Sequence, residues 1–193
     1  MARLVFEFFK PERFLIGTVG VPGEREFFLQ VKGESFGKKV LASFALEKSQ
    51  AAALAERSRE MVREMAKEMR RNFPPNSNHA ADLAPLETPV ESEFSLGIMS
   101  LSWLPDEEVF LFEAQSMGDL TTREVYEELI SDDVLDAPPI LRVKLGVEEL
   151  ITFAKRTELV VAAGRQPCVF CGGPINPGGH LCPRANGYRR QIS

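Results

Sequence analysis

Two periodicities divide the chain. Residues 3–9 (RLVFEFF) and 14–19 (FLIGTV) are rich in β-branched and aromatic side chains and are broken by Lys10-Pro11-Glu12, which predicts two antiparallel strands. Val21-Pro22-Gly23-Glu24 puts proline and glycine where a type II turn wants them, so 26–31 is expected to fold back as a third strand and 40–46 as a fourth. The glycines of 17–23 are followed by neither a Lys-Ser/Thr pair nor a helix opening, which leaves them as turn punctuation rather than a phosphate loop. From 47 to about 73 the composition turns to Ala, Glu, Arg and Met without internal Gly or Pro. Leu54, Met61, Val62, Met65 and Met69 recur at helical spacing there and predict one amphipathic helix, stopped by Pro74-Pro75.

Periodicity fades over 76–93, a stretch of Asn, Pro and acids that reads as a long surface loop. Alternation returns at 94–104 and 109–115, with Pro105-Asp106-Glu107-Glu108 as the hairpin turn. Thr121 with Glu124 three residues later has the form of a capping box and predicts a polar helix over 121–130. After Pro138-Pro139, 140–145 predicts a last strand. Val147, Leu150, Ile151, Ala154 and Val161 then line a helix face that Gly164 closes from the C′ position. The fold class is α+β: an antiparallel sheet of about six or seven strands covered by two main helices, with residues 1–164 as the domain and 165–193 as an appended segment.

Candidate chemistry is concentrated in that segment. All three cysteines and one of the two histidines fall between Cys168 and Cys182, arranged as Cys168-x-x-Cys171 followed by His180-x-Cys182 among glycines and prolines. Zinc takes four N or S donors at tetrahedral corners, and two close pairs joined by tight turns supply such a set. The expected cofactor is structural Zn²⁺ on Cys168, Cys171, His180 and Cys182, in a zinc ribbon-like arrangement, with water as the alternative fourth ligand to His180. A redox Cys-x-x-Cys is the main competitor, but that chemistry sits at a helix N-terminus, and an iron–sulfur cluster generally takes four thiolates.

Charge sharpens the division. The chain carries −5 overall, yet residues 164–193 hold four arginines and no Asp or Glu, leaving 19 basic against 28 acidic residues, or −9, in 1–163. Either the basic segment docks on its own acidic body, or it presents Arg184, Tyr188, Arg189 and Arg190 to an acidic protein partner, with nucleic acid disfavoured. No stretch has the length of a membrane span, the N-terminus lacks a signal pattern, and thiolates kept on metal suit a reducing compartment, so a cytoplasmic protein is expected. The competing functional class is an enzyme, such as a hydrolase, with a site between the sheet and the 76–93 loop, which carries His79, Asp82, Glu87, Glu91 and Glu93. No nucleophile–base pair or catalytic metal motif supports it, and no catalytic residue is named.

Residues 13–20 (RFLIGTVG) through 27–30 (FFLQ), 45–48 (ALEK), 86–90 (LETPV) and above all 180–190 (HLCPRANGYRR) resemble an uncharacterised family of actinobacterial and related bacterial proteins, catalogued as a domain of unknown function of about this length. The resemblance spans nearly the whole chain. It implies a cytoplasmic bacterial protein with a CxxC…HxC terminus and brings no activity, substrate or catalytic residue with it.

Overall fold

The computed structural model describes residues 3–21, 23–68, 83–118, 128–164, 168–173, 175 and 179–184. Strands β1 (Val5–Phe9), β2 (Arg13–Val19), β3 (Glu26–Ser35), β4 (Lys38–Leu46), β5 (Ser92–Leu104), β6 (Val109–Ser116) and β7 (Ile140–Leu145) accompany helices α1 (Lys48–Glu68) and α2 (Val147–Ala162). The class is α+β, and the strands form one seven-stranded sheet in the order β1-β7-β6-β5-β4-β3-β2.

That sheet is mixed, which corrects the antiparallel expectation. β1 runs parallel to β7 and β4 parallel to β5. The second pair has a plain cause, because a strand followed by a helix and another strand is the crossover that parallel neighbours require. The first overturns the expected hairpin of β1 with β2. Instead of pairing, the chain turns at Lys10, whose φ is 44°, and the Lys10 N–H donates to the Lys144 carbonyl at 2.8 Å.

β1 and β2 therefore stand at opposite ends of the strand order, yet only residues 10–12 join them. Four Cα steps reach at most about 15 Å, whereas seven flat strands would span about 29 Å. The sheet has to curl until its edges approach. The side chains at the closure agree: the Glu7 N–H donates to Ser35 Oγ at 3.3 Å, and the Phe6 ring lies edge-on to Phe36 at 5.4 Å and to Phe44 at 5.5 Å. Phe8, Leu29, Phe44, Phe110, Phe112 and Leu145 fill the main core, which is joined by Ala51, Leu54, Met61 and Met65 from α1 and by Leu150 and Phe153 from α2.

Several boundaries differ from those expected. α1 begins at Lys48, and residues 69–73 with Met69 lie outside the described residues. So do 121–127 of the expected polar helix, while 128–130 are not helical. α2 buries Phe153, Arg156 and Thr157 beside Leu150 and Ala154, a face turned away from Ile151. Such a face is tolerable because Thr157 Oγ1 donates to the Phe153 carbonyl at 2.8 Å and Arg156 Nε to the Ile16 carbonyl at 3.0 Å. Gly164 follows the C-cap Ala163 but does not adopt positive φ. Among the described residues no helix is long and apolar enough to cross a membrane.

Residues 83–90 are an irregular, largely exposed segment, as their composition implies, and they are tied down as a strap across β2 and β3. Leu86 packs on Leu15 and Phe28. Buried Gln30 reads the strap backbone in both directions: its Nε2 donates to the Glu87 carbonyl at 3.0 Å and its Oε1 accepts the Glu87 N–H at 2.8 Å. Arg13 and Arg156 both donate to the Ala84 carbonyl, at 3.0 and 2.8 Å. The gap beneath Leu86 is made by Gly17, because a Cβ there would fall 2.5 Å from Leu86 Cγ. Gly17→Ala is accordingly expected to lift the strap and cost about 1–3 kcal/mol. Hydrogen exchange at the Glu87 amide reads this directly, and unchanged protection there would show that Leu86 does not hold the strap.

At the other end of the sheet a second polar lock fixes residues 130–138. Arg3 donates to the Ile130 and Pro138 carbonyls and to Gln115 Oε1, at 2.7, 2.7 and 3.1 Å. Arg142 forks onto Asp132 at 2.7 and 2.9 Å and reaches Glu113 at 2.9 Å. Hydrogen bonding from Arg142, and then from Arg3, holds the Asp132 carboxyl at about 2 against the opposing effect of burial.

Candidate metal centre

α2 delivers the chain to the donor segment. Between Cys168 and Gly173 the backbone closes on itself: the Cys168 N–H donates to the Gly173 carbonyl at 2.7 Å and the Gly172 N–H to the Cys168 carbonyl at 2.8 Å. Gly172 has φ of 73°, a left-handed conformation that favours glycine and explains why one follows the second cysteine. The same turn aims N–H groups at sulfur. Phe170 N–H meets Cys168 Sγ at 3.4 Å, and Gly173 N–H meets Cys171 Sγ at 3.4 Å. Arg184 braces the two halves of the segment by donating from Nη1 to the Phe170 carbonyl at 3.2 Å.

The four sequence-nominated donors converge. Cys168 Sγ lies 3.7 Å from Cys182 Sγ, and Cys171 Sγ 3.3 Å from His180 Nε2. All four ligand atoms lie within 4.8 Å of one another. A tetrahedral ion with sulfur at about 2.3 Å and nitrogen at about 2.0–2.1 Å would separate two sulfurs by about 3.8 Å and sulfur from nitrogen by about 3.6 Å. The Cys168–Cys182 spacing matches the sulfur–sulfur value and the Cys171–His180 spacing is about 0.3 Å shorter than the sulfur–nitrogen one, within a donor set that spans up to 4.8 Å. None of the three cysteines forms a disulfide; Cys168 and Cys182 are buried and Cys171 is half-buried.

The two thiols of the Cys-x-x-Cys pair are shifted in opposite directions. Backbone N–H groups of Cys171 and Phe170 hold the Cys168 thiol below the usual range, assisted by the neighbouring thiols. At Cys171 the Gly173 N–H also favours the thiolate, but burial and the adjacent Cys182 and Cys168 sulfurs outweigh it and push that thiol up. Crowded thiolates raise each other's pKa, and a bound dication removes the conflict by stabilising all of them. Cys168, Cys171, His180 and Cys182 are thus positioned to hold a metal ion. A redox pair fits less well, since Cys168 opens a turn rather than a helix.

The remaining nominated residues are dispersed. Arg184 is exposed beside the cage, while Tyr188, Arg189 and Arg190 lie outside the described residues, as do His79 and Asp82. Glu87 is paired with Lys32 at 2.9 Å and with Arg13 at 3.6 Å as part of the strap, and Glu91 and Glu93 are exposed. Among the described residues, the acids of 76–93 build no catalytic cluster. Sequence reasoning also passed over Val169, Phe170 and Leu181, the exposed apolar residues set between the donors. Their signal was present, because a residue beside an inward-pointing ligand has to face out.

A family model described as a protein of unknown function (DUF3090) matches residues 6–182, and the chain belongs to that family. The matched span takes in all four donors and ends at the last of them. No curated protein and no solved structure matches the chain.

Proposed function

We propose that the chain is a non-enzymatic interaction module whose basic C-terminal segment, residues 165–193, is stapled by structural zinc and presented to an acidic protein partner by the domain formed by 1–164. The observation that supports this reading is the donor set, four protein atoms within 4.8 Å of one another; an ion bound by all four would keep no coordination position for substrate. Three thiolates and an imidazole form a borderline-soft tetrahedral set, the chemistry that favours zinc over magnesium or calcium. Thiolates held on a metal rather than in disulfides suit a reducing compartment, which supports a cytoplasmic protein in this reading. Arg184, with Tyr188, Arg189 and Arg190 beyond it, supplies forks suited to carboxylates and an aromatic that can fill a pocket.

A protein partner is favoured over nucleic acid by the charge of the whole chain. Four arginines neutralise at most about four phosphates, giving a log–log salt slope no steeper than about −3.6 on duplex DNA, while a body of −9 repels a polyanion. Fluorescence anisotropy with labelled random duplex DNA and single-stranded RNA near physiological salt is expected to give dissociation constants weaker than about 10⁻⁴ M. Tight binding that disappears in an Arg184→Ala/Arg189→Ala/Arg190→Ala variant, and that weakens steeply with salt, would overturn the choice of partner. The competing reading is a hydrolase with a site between the sheet and the 76–93 loop, in which Glu87 pairs with Lys32 and Arg13.

A further inference from the structure

The donors of the C-terminal segment face one another, and its spacer residues are exposed. Val169 is 89% exposed, Leu181 85% and Phe170 61%, and the first two are the most exposed large apolar side chains among the described residues. Val169 and Phe170 are the spacers of Cys168-x-x-Cys171, and Leu181 is the spacer of His180-x-Cys182, so both halves of the cage contribute to this apolar exterior. Single exposed apolar residues are ordinary. Three of them on the loops of one metal cage, each fixed by the backbone that carries a ligand, are pre-organised for contact.

The charge beside them indicates what they would meet. Arg184 is exposed and donates to the Phe170 carbonyl, which holds its guanidinium next to that spacer, and residues 164–193 contain no Asp or Glu. Two of the three apolar side chains are aliphatic and offer no π-face for a base to stack on. A body of −9 repels RNA and an anionic lipid surface over their whole extent, but a short peptide carries few charges and meets only the basic end. We propose that the outer face of the metal cage, formed by Val169, Phe170 and Leu181 with Arg184 at its edge, docks a short protein segment in which large apolar side chains are flanked by Asp and Glu. This inference rests on the interaction-module reading and adds an apolar anchor to its basic tail. The partner touches no metal ligand, yet removing the metal weakens docking because the cage positions the spacers.

The test uses the full zinc-loaded chain and a fluorescein-labelled twelve-residue synthetic peptide in which Leu and Phe alternate with Glu and Asp. Its companions are the same peptide with every Leu and Phe replaced by Ser, a poly-uridine RNA, and phosphatidylcholine vesicles containing phosphatidylserine. The acidic apolar peptide is expected to bind, and Phe170→Ser/Leu181→Ser to weaken it at least tenfold with zinc content unchanged. Val169→Ser provides the same reading should the double variant shed metal, and a chelator is expected to abolish binding. Equal binding of the apolar and serine peptides, lost only when the arginines are replaced, would overturn the apolar anchor and leave the module reading standing. Binding to neither peptide would overturn both. Preferential binding of RNA or vesicles, lost in the double variant, would show that the face takes a different class of partner.

Discussion

Cys171→Ser is expected to strip the metal from the protein while the sheet unfolds within a few degrees of its wild-type temperature. Structural zinc in small cages is held by about 10–16 kcal/mol, so one of four donors accounts for about 3 kcal/mol, more than a hundredfold in affinity. The loss is local for a structural reason. Cys171 Sγ faces His180 Nε2 at 3.3 Å and accepts the Gly173 N–H, contacts confined to the C-terminal segment. The main buried cluster, in contrast, draws its residues from Phe6 to Phe153 and includes none of the cysteines. Elemental analysis together with a thermal melt separates the two effects. Melting of the sheet in step with metal loss would mean that residues 1–164 and 165–193 form one cooperative unit.

Phe44→Ala should do the reverse, destabilising the body while leaving the metal content unchanged. Phe44 on β4 is fully buried, and its ring meets Phe6 of β1 at 5.5 Å and Phe94 of β5 at 4.8 Å. It therefore ties together strands that the curl of the sheet brings near one another but that do not all pair. Truncating such a side chain costs about 3–5 kcal/mol through lost burial and an unfilled cavity. For a chain of this size that corresponds to a fall in Tm of roughly 6–20 °C. Chemical denaturation gives the free energy, and a change below about 1 kcal/mol would contradict the closure of the sheet around Phe44.

What the sequence makes legible is what local pattern determines. β7 falls at Ile140–Leu145 as expected, and the Pro105–Glu108 turn closes where the alternation breaks, with Glu108 N–H donating to the Pro105 carbonyl at 3.4 Å. The donor set is legible for the same reason, since its four ligands lie within fifteen positions and bring their own turns. Strand partnership is not local. β1 and β2 are neighbours in sequence and opposite edges in the sheet, because β1 finds its partner in β7 at the far end of the chain. The parallel β4–β5 pair could have been inferred from the strand–helix–strand order, which hairpin counting concealed. Leu86 gives no periodic signal inside an acidic, proline-containing stretch. Its trace lies instead in Gly17, a glycine inside a strand, where a close neighbour is the usual reason. The exposure of Val169, Phe170 and Leu181 follows only from the inward facing of the donors they separate, not from any hydrophobic periodicity.

Zinc K-edge absorption spectroscopy on the full chain, purified under reducing conditions without chelator, tests the central claim most directly. The account predicts one zinc per chain with three sulfurs at about 2.3 Å and one nitrogen at about 2.0–2.1 Å. Iron in place of zinc, or a first shell in which a water oxygen replaces the His180 nitrogen, would contradict a closed structural site.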